Sequence, residues 1–178
     1  PPMPPNRRIL PAVAALYAAT WATALAFATP DRLILPAALA LPLIWLTMTD
    51  LVRHEIPDTA SATIALAGAV FQWHLHGPTL PGLAILALSS ALTAAFWMAG
   101  QRYYARNGTE ALGIGDAKLI GAGTLCVGAG SVWAMLFIAA TGGIAAALLS
   151  RRSDPAITGL AFGPFLAYAI FIFVNFPV

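Results

Sequence analysis

Long apolar runs alternate with short polar connections along the whole chain. A hydrocarbon core about 30 Å thick calls for about 20 apolar residues at 1.5 Å each. Seven stretches approach that length: 10–28, 33–50, 59–76, 80–100, 113–128, 131–150 and 157–176. The pattern predicts an all-α membrane protein, a polytopic bundle of about seven transmembrane helices. The fifth stretch is the shortest, and the count falls to six if it is a re-entrant loop.

Charge gathers in the connections. Arg7 and Arg8 precede the first stretch, and Asp31 and Arg32 follow it; Arg53, His54 and Glu55 follow the second. Arg102, Arg106 and Glu110 follow the fourth, and Arg151, Arg152 and Asp154 the sixth. Basic residues favour the cytoplasmic side. A cytoplasmic N-terminus puts Arg7, Arg8, Arg53, Arg102, Arg106, Arg151 and Arg152 inside and only Arg32 outside. Without a crossing by the fifth stretch, Arg151 and Arg152 would fall outside, so that stretch is kept as a short, glycine-rich span. Trp73 and Trp133 then lie near the outer boundary, and Trp97, Tyr103 and Tyr104 near the inner one, as interfacial aromatics do. Ala117 and Gly121, and Gly142, Gly143 and Ala147, suit close helix packing in lipid, although Ala-rich spans also produce such spacings by composition.

Composition adds limits. Of 178 residues, 60% are hydrophobic and 9% charged, which sets the chain apart from soluble proteins. It reads as a tail, 1–9, and one membrane-embedded domain, 10–178, with no room for a sizeable soluble domain. Pro1 and Pro2 read as a remnant ahead of a natural start at Met3, and no signal-peptide cleavage site follows the first apolar run. A net charge of +2 is too small to suggest a nucleic-acid partner. The single Cys126 excludes an intrachain disulfide and a multi-cysteine zinc site, and reads as a small packing residue. His74 and His76 lack a third ligand nearby, so no metal is expected there. No cofactor is expected either.

Against this background, Leu112-Gly113-Ile114-Gly115-Asp116-Ala117-Lys118-Leu119 stands out. An ionisable residue at the mouth of a span is costly and usually faces a protein interior or wet cavity. Gly113 and Gly115 free the backbone for conformations closed to other residues, or for close approach by another chain. The stretch reads as an acid held at a tight turn entering a helix. A second acid, Asp50, closes the second stretch. In the charge-derived topology Asp50 and Asp116 reach the inner face at similar depth. Two carboxylates a few ångströms apart cannot both ionise easily and share a proton, so one can activate water while the other donates to a carbonyl. A solvated helix-end Asp is the simpler reading of Asp50 taken alone.

Neighbouring residues have plainer alternatives. Lys118 is two positions from Asp116, so the side chains diverge on a helix; it snorkels to the headgroups or tunes the pair. Arg53, three residues after Asp50, is spaced to pair with it or simply sets topology. Asp58 after Pro57 reads as the N-cap of the third helix. Pro164, after Gly163, either loosens the first turns of the last helix or is a tolerated helix-start proline.

Three separated motifs, in order, resemble those of the prepilin peptidases: Asp50 with Arg53 and Ile56-Pro57-Asp58; Gly113-x-Gly115-Asp116-x-Lys118-Leu119; and Phe162-Gly163-Pro164-Phe165. These are membrane-embedded GxGD-type aspartyl proteases, and the resemblance runs from about residue 40 to residue 170. It implies that Asp50 and Asp116 are the catalytic pair. It also implies a multi-pass protein of a bacterial or archaeal cytoplasmic membrane that cuts the short basic leader from pilin-like precursors on the cytoplasmic side. The partners implied are that precursor, membrane lipid and components of a pilus or secretion assembly. Larger members carry a cytosolic insertion with paired cysteines and N-methylate the new terminus. This chain lacks that insertion and is similar to the compact members serving Flp-type or archaeal-type pilins, so methylation is not expected. Ala161 stands where many relatives carry proline. The alternatives are a proton- or cation-coupled transporter using the same acids, and an inactive subunit of a secretion assembly.

Overall fold

The computed structural model describes residues 9–27, 33–109, 112–153 and 161–177. Arg7, Arg8, Asp31, Arg32, Glu110, Asp154, the tail before residue 9 and the beginning of the seventh stretch lie outside them, as do the side chains of Arg151 and Arg152. Six helices form: α1 (Ile9–Phe27), α2 (Ile34–Arg53), α3 (Asp58–His76), α4 (Leu80–Asn107), α5 (Ile114–Ser153) and α6 (Gly163–Asn175). No strand occurs among the described residues. In lipid the backbone has no water to bond to, so helices satisfy their polar groups internally.

The expected fifth and sixth stretches are joined in α5. That helix is broken at Gly128 (φ 76°, ψ 175°), a backbone region essentially restricted to glycine. The break reverses the chain. Met135 Sδ lies 3.1 Å from the place where a Cβ on Gly123 would stand, whereas these residues would be about 18 Å apart along a straight helix. The two arms of α5 therefore pack against each other, antiparallel.

Two other boundaries differ from expectation. α4 runs on to Asn107 rather than ending near residue 100, and its last turns, with Arg102, Tyr103, Tyr104 and Arg106, are exposed. Good helix formers allow this, and Gly108 stops it in a left-handed conformation (φ 69°). Asp58 is not an N-cap. Pro57 occupies that position, and Asp58 is the first helical residue with no side-chain capping bond.

α5 is the hub, packed on α3, α4 and α6; α6 in turn lies between α5 and α2, and α1 closes the bundle against α2 and α6. Lipid provides little hydrophobic drive between helices, so close packing and interhelical hydrogen bonds must hold them. Both occur. A Cβ on Gly68 of α3 would stand 2.8 Å from the backbone of Leu125 and Cys126, and one on Gly121 would collide with Thr93 Oγ1 of α4. Gln72 Nε2 donates to the Leu125 carbonyl (2.9 Å), Ser89 Oγ to that of Gly121 (2.9 Å), and the Tyr17 and Thr47 hydroxyls are paired (3.1 Å). Cys126 is buried, with Sγ 3.4 Å from the Ile64 carbonyl oxygen, in keeping with a packing role.

The outside is apolar. Leu41, Leu66, Leu80, Trp133 and Phe137 are among many large hydrophobic residues left exposed. α2, α4 and the Ile114–Leu149 part of α5 are long and apolar enough to cross a membrane, while Leu10–Ala26 and Gly163–Asn175 are shorter apolar helices. Such a surface belongs in lipid.

Candidate active site

The C-terminal turn of α2, the 54–57 connection, the first turn of α5 and the first turn of α6 meet at one end of the bundle. Asp50 is the acid contributed by α2. It is only 5% exposed because it continues the inward face of Leu39, Leu43 and Leu46. Its Oδ2 is buried with no hydrogen-bond partner. The backbone of α6 closes on it: a Cβ at Gly163 would stand 2.6 Å from Oδ2 and 3.1 Å from Cγ. The Gly163 amide is near enough to bear on the carboxylate's charge without meeting hydrogen-bond geometry at Oδ2. Glycine at 163 is thus a matter of space.

Asp116 is the acid contributed by α5. Gly113 stands immediately before the helix, and its N–H donates to Asp116 Oδ2 at 3.2 Å. That is half of a capping box, an acid in the first turn reaching back to the residue before the helix. Asp116 therefore has a local structural role besides any chemistry. Asp50 is close enough for its charge to act on Asp116. Two acids 66 positions apart in the chain (116 − 50) thus come to the same end of the bundle, linked through Ile56, which abuts both Gly115 and Gly163.

Gly113 and Gly115 do not take the special backbone conformations expected of them, since Gly77, Gly108 and Gly128 are the positive-φ glycines among the described residues. Close approach explains only Gly115, whose missing Cβ would stand 2.9 Å from Ile56 Cβ. At Gly113 a Cβ would meet nothing nearer than 3.6 Å.

The remaining motif residues divide. Lys118 turns away from the acids. Its Nζ pairs with Asp58 Oδ1 at 2.7 Å, and the two side chains are 40% and 77% exposed. Arg53 is exposed and forms no ion pair with the buried Asp50. Pro57 caps α3 (φ −63°, ψ 127°). Pro164 sits in the first turn of α6, where no donor is needed, so it is a helix-start proline. The aromatic residues beside it have partners: Phe162 packs 3.1 Å from the missing Cβ of Gly143 and Phe165 3.0 Å from that of Gly142. The small residues of α5 thus seat α6.

Ile56 was not singled out in the sequence as a site residue, yet its side chain lies between Gly115 and Gly163. The available signal was a lone apolar residue between Glu55 and Pro57. Beside it opens a groove of about 470 Å³ lined by Trp45, Met48, Thr49, Val52, Arg53, Glu55, Ile56 and Pro57, though by neither Asp50 nor Asp116. A cavity of about 600 Å³ near Gln72, His76 and Gly128 lies at the other end of α3 and of the first α5 arm, and no acid lines it. No group of three or more metal-ligating side chains gathers among the described residues.

Fold and site together define a helical membrane protein whose helix termini bring a buried and a half-buried carboxylate to one end of the bundle. The sequence profile of the type IV leader peptidase family matches residues 37–149, and the chain belongs to that family. The match takes in both acids and ends before α6. No curated protein and no solved structure matches the chain. The transport alternative finds no support in these findings.

Proposed function

We propose that the protein is an aspartyl endopeptidase that removes the short basic leader from type IV pilin-like, Flp-type precursors, with Asp50 and Asp116 as its catalytic pair. The observation that carries this reading is the placement of a buried Asp50 and a helix-initiating Asp116 at one end of the bundle, linked through Gly163 and Ile56, with both acids inside the stretch matched by the family. One carboxylate takes a proton from water as its oxygen attacks the scissile carbonyl, and the other donates a proton to the carbonyl oxygen. The tetrahedral diol collapses as a proton passes to the leaving nitrogen and the peptide bond breaks. No cofactor is needed.

The groove beside Ile56 is open to the same end of the bundle and offers an apolar wall for the segment that follows the leader. The charge pattern supports seven crossings with a cytoplasmic N-terminus, the α5 arms counting as two, and a site facing the cytoplasm. Pilus or secretion components are the expected partners, and N-methylation is not expected of a chain without the paired cysteines.

The test is cleavage of a precursor (basic leader, glycine, hydrophobic helix) by the purified protein in lipid, with Asp50→Asn and Asp116→Asn alongside and thermal melts to verify folding. Each Asn variant should lose activity by a factor of about 10³ or more, as when a group acting in concert is removed. Cleavage that persists in either folded variant would remove the two-aspartate mechanism.

A further inference from the structure

Ile56 fills the gap between the start of α5, which carries Asp116, and the start of α6, whose Gly163 presses on Asp50 of α2. It sits in the connection 54–57, fixed on one side by Pro57 and on the other by His54, which takes a left-handed conformation (φ 54°, ψ 37°). Arg53, His54 and Glu55 point outward, whereas Ile56 is half-buried and packs on the core. Its Cβ, Cδ1 and Cγ1 stand 2.9, 3.4 and 3.4 Å from the place of a Cβ on Gly115, and its Cδ1 stands 3.1 Å from that on Gly163. One branched side chain thus keys into two glycine notches. The first adjoins Asp116 in sequence, and the second presses on Asp50 in space. A β-branched residue is stiff at χ1, which suits a wedge.

We propose that Ile56 is a positioning residue, an apolar spacer that sets the separation of Asp50 and Asp116. The inference rests on the peptidase reading and adds to it. A pair that shares a proton is coupled through distance, so the residue that holds the two helix starts apart governs how the pair titrates. A shift of about 1 Å in such a site can cost about 10²-fold in rate.

The experiment uses the full chain in lipid, with Ile56→Val, which lacks only Cδ1, and Ile56→Ala, which lacks every atom beyond Cβ. In Ile56→Ala, kcat for precursor cleavage should fall about 10- to 100-fold with KM within about twofold. The two limbs of its pH–rate profile should move apart, because acids allowed to approach couple more strongly and their macroscopic constants split further. Ile56→Val should fall between wild type and Ile56→Ala in both respects. A loss carried by KM, or unmoved pH limbs, would overturn the spacer role. A second readout needs no activity: Asp50→Cys with Asp116→Cys, in a Cys126→Ala background, is bridged by a short bifunctional thiol reagent. Bridging should be several-fold faster with Ile56→Ala than with Ile56 in place. Equal or slower bridging in Ile56→Ala would overturn the spacer. A clear difference in bridging from a protein whose wild type cleaves no precursor would instead remove the peptidase reading and keep the spacer.

Discussion

At the scale of single residues, space rather than backbone conformation explains the glycines of the site. Gly163 touches Asp50 and Ile56, whereas Gly113 touches nothing that a methyl group would disturb. Gly163→Ala should therefore reduce cleavage by about 10²-fold, the scale of a displaced catalytic group. Gly113→Ala should cost far less, since its N–H still reaches Asp116. Steady-state kinetics on the two variants checks the contrast; equal losses would mean that the crowding at Gly163 is irrelevant. Both acids were legible in the sequence because charge is conspicuous in an apolar chain. Ile56 was visible only as the apolar member of a motif, because an isoleucine carries no charge or reactive group to mark it as a site residue. Lys118 illustrates the reverse: its charge drew attention, and its partner proved to be Asp58, an exposed pair worth at most about 1 kcal/mol.

At the scale of elements, apolar run length located the helices, while their joints depended on glycine and proline. Segments five and six are arms of one helix folded at Gly128. Alanine there would have to adopt a conformation essentially closed to it, so Gly128→Ala should lower stability by about 1–3 kcal/mol. Unfolding by denaturing detergent measures this, and an unchanged midpoint would show that the reversal tolerates a side chain. The extension of α4 to Asn107 escaped hydropathy because its last turns are polar and exposed; apolar patterning reports where a helix is buried in lipid, not where it stops. The Phe162–Phe165 motif and the Gly142-Gly143 pair were both visible, but nothing in their spacing said that they would pack together.

At the scale of the whole molecule, the arm 114–127 is the constraint that matters. Fourteen residues rise about 21 Å, less than a hydrocarbon core of about 30 Å. If the arm crosses the bilayer, one of its ends is recessed from the lipid boundary or the bilayer thins beside it. The charge-derived orientation is open to direct test, because the lone native thiol, Cys126, is buried. An impermeant maleimide applied to intact cells should label Pro78→Cys, in the α3–α4 connection, and spare Glu55→Cys beside the acids. The opposite pattern would invert the topology and move the site to the outer face.

The sequence by itself determined the solvent and the inventory of the chemistry. Sixty per cent hydrophobic residues in long spaced runs satisfy their backbone in lipid as helices, and an Asp at the mouth of such a run is a functional candidate by default. Tertiary structure decided what surrounds the two acids that the sequence had already paired. Asp50, Ile56, Asp116 and Gly163 come from four separate places in the chain and meet because α5 folds back at Gly128 and its glycines seat α6 against α2. That meeting depends on steric fit between helices, a property of pairs of surfaces that no run of residues read singly contains.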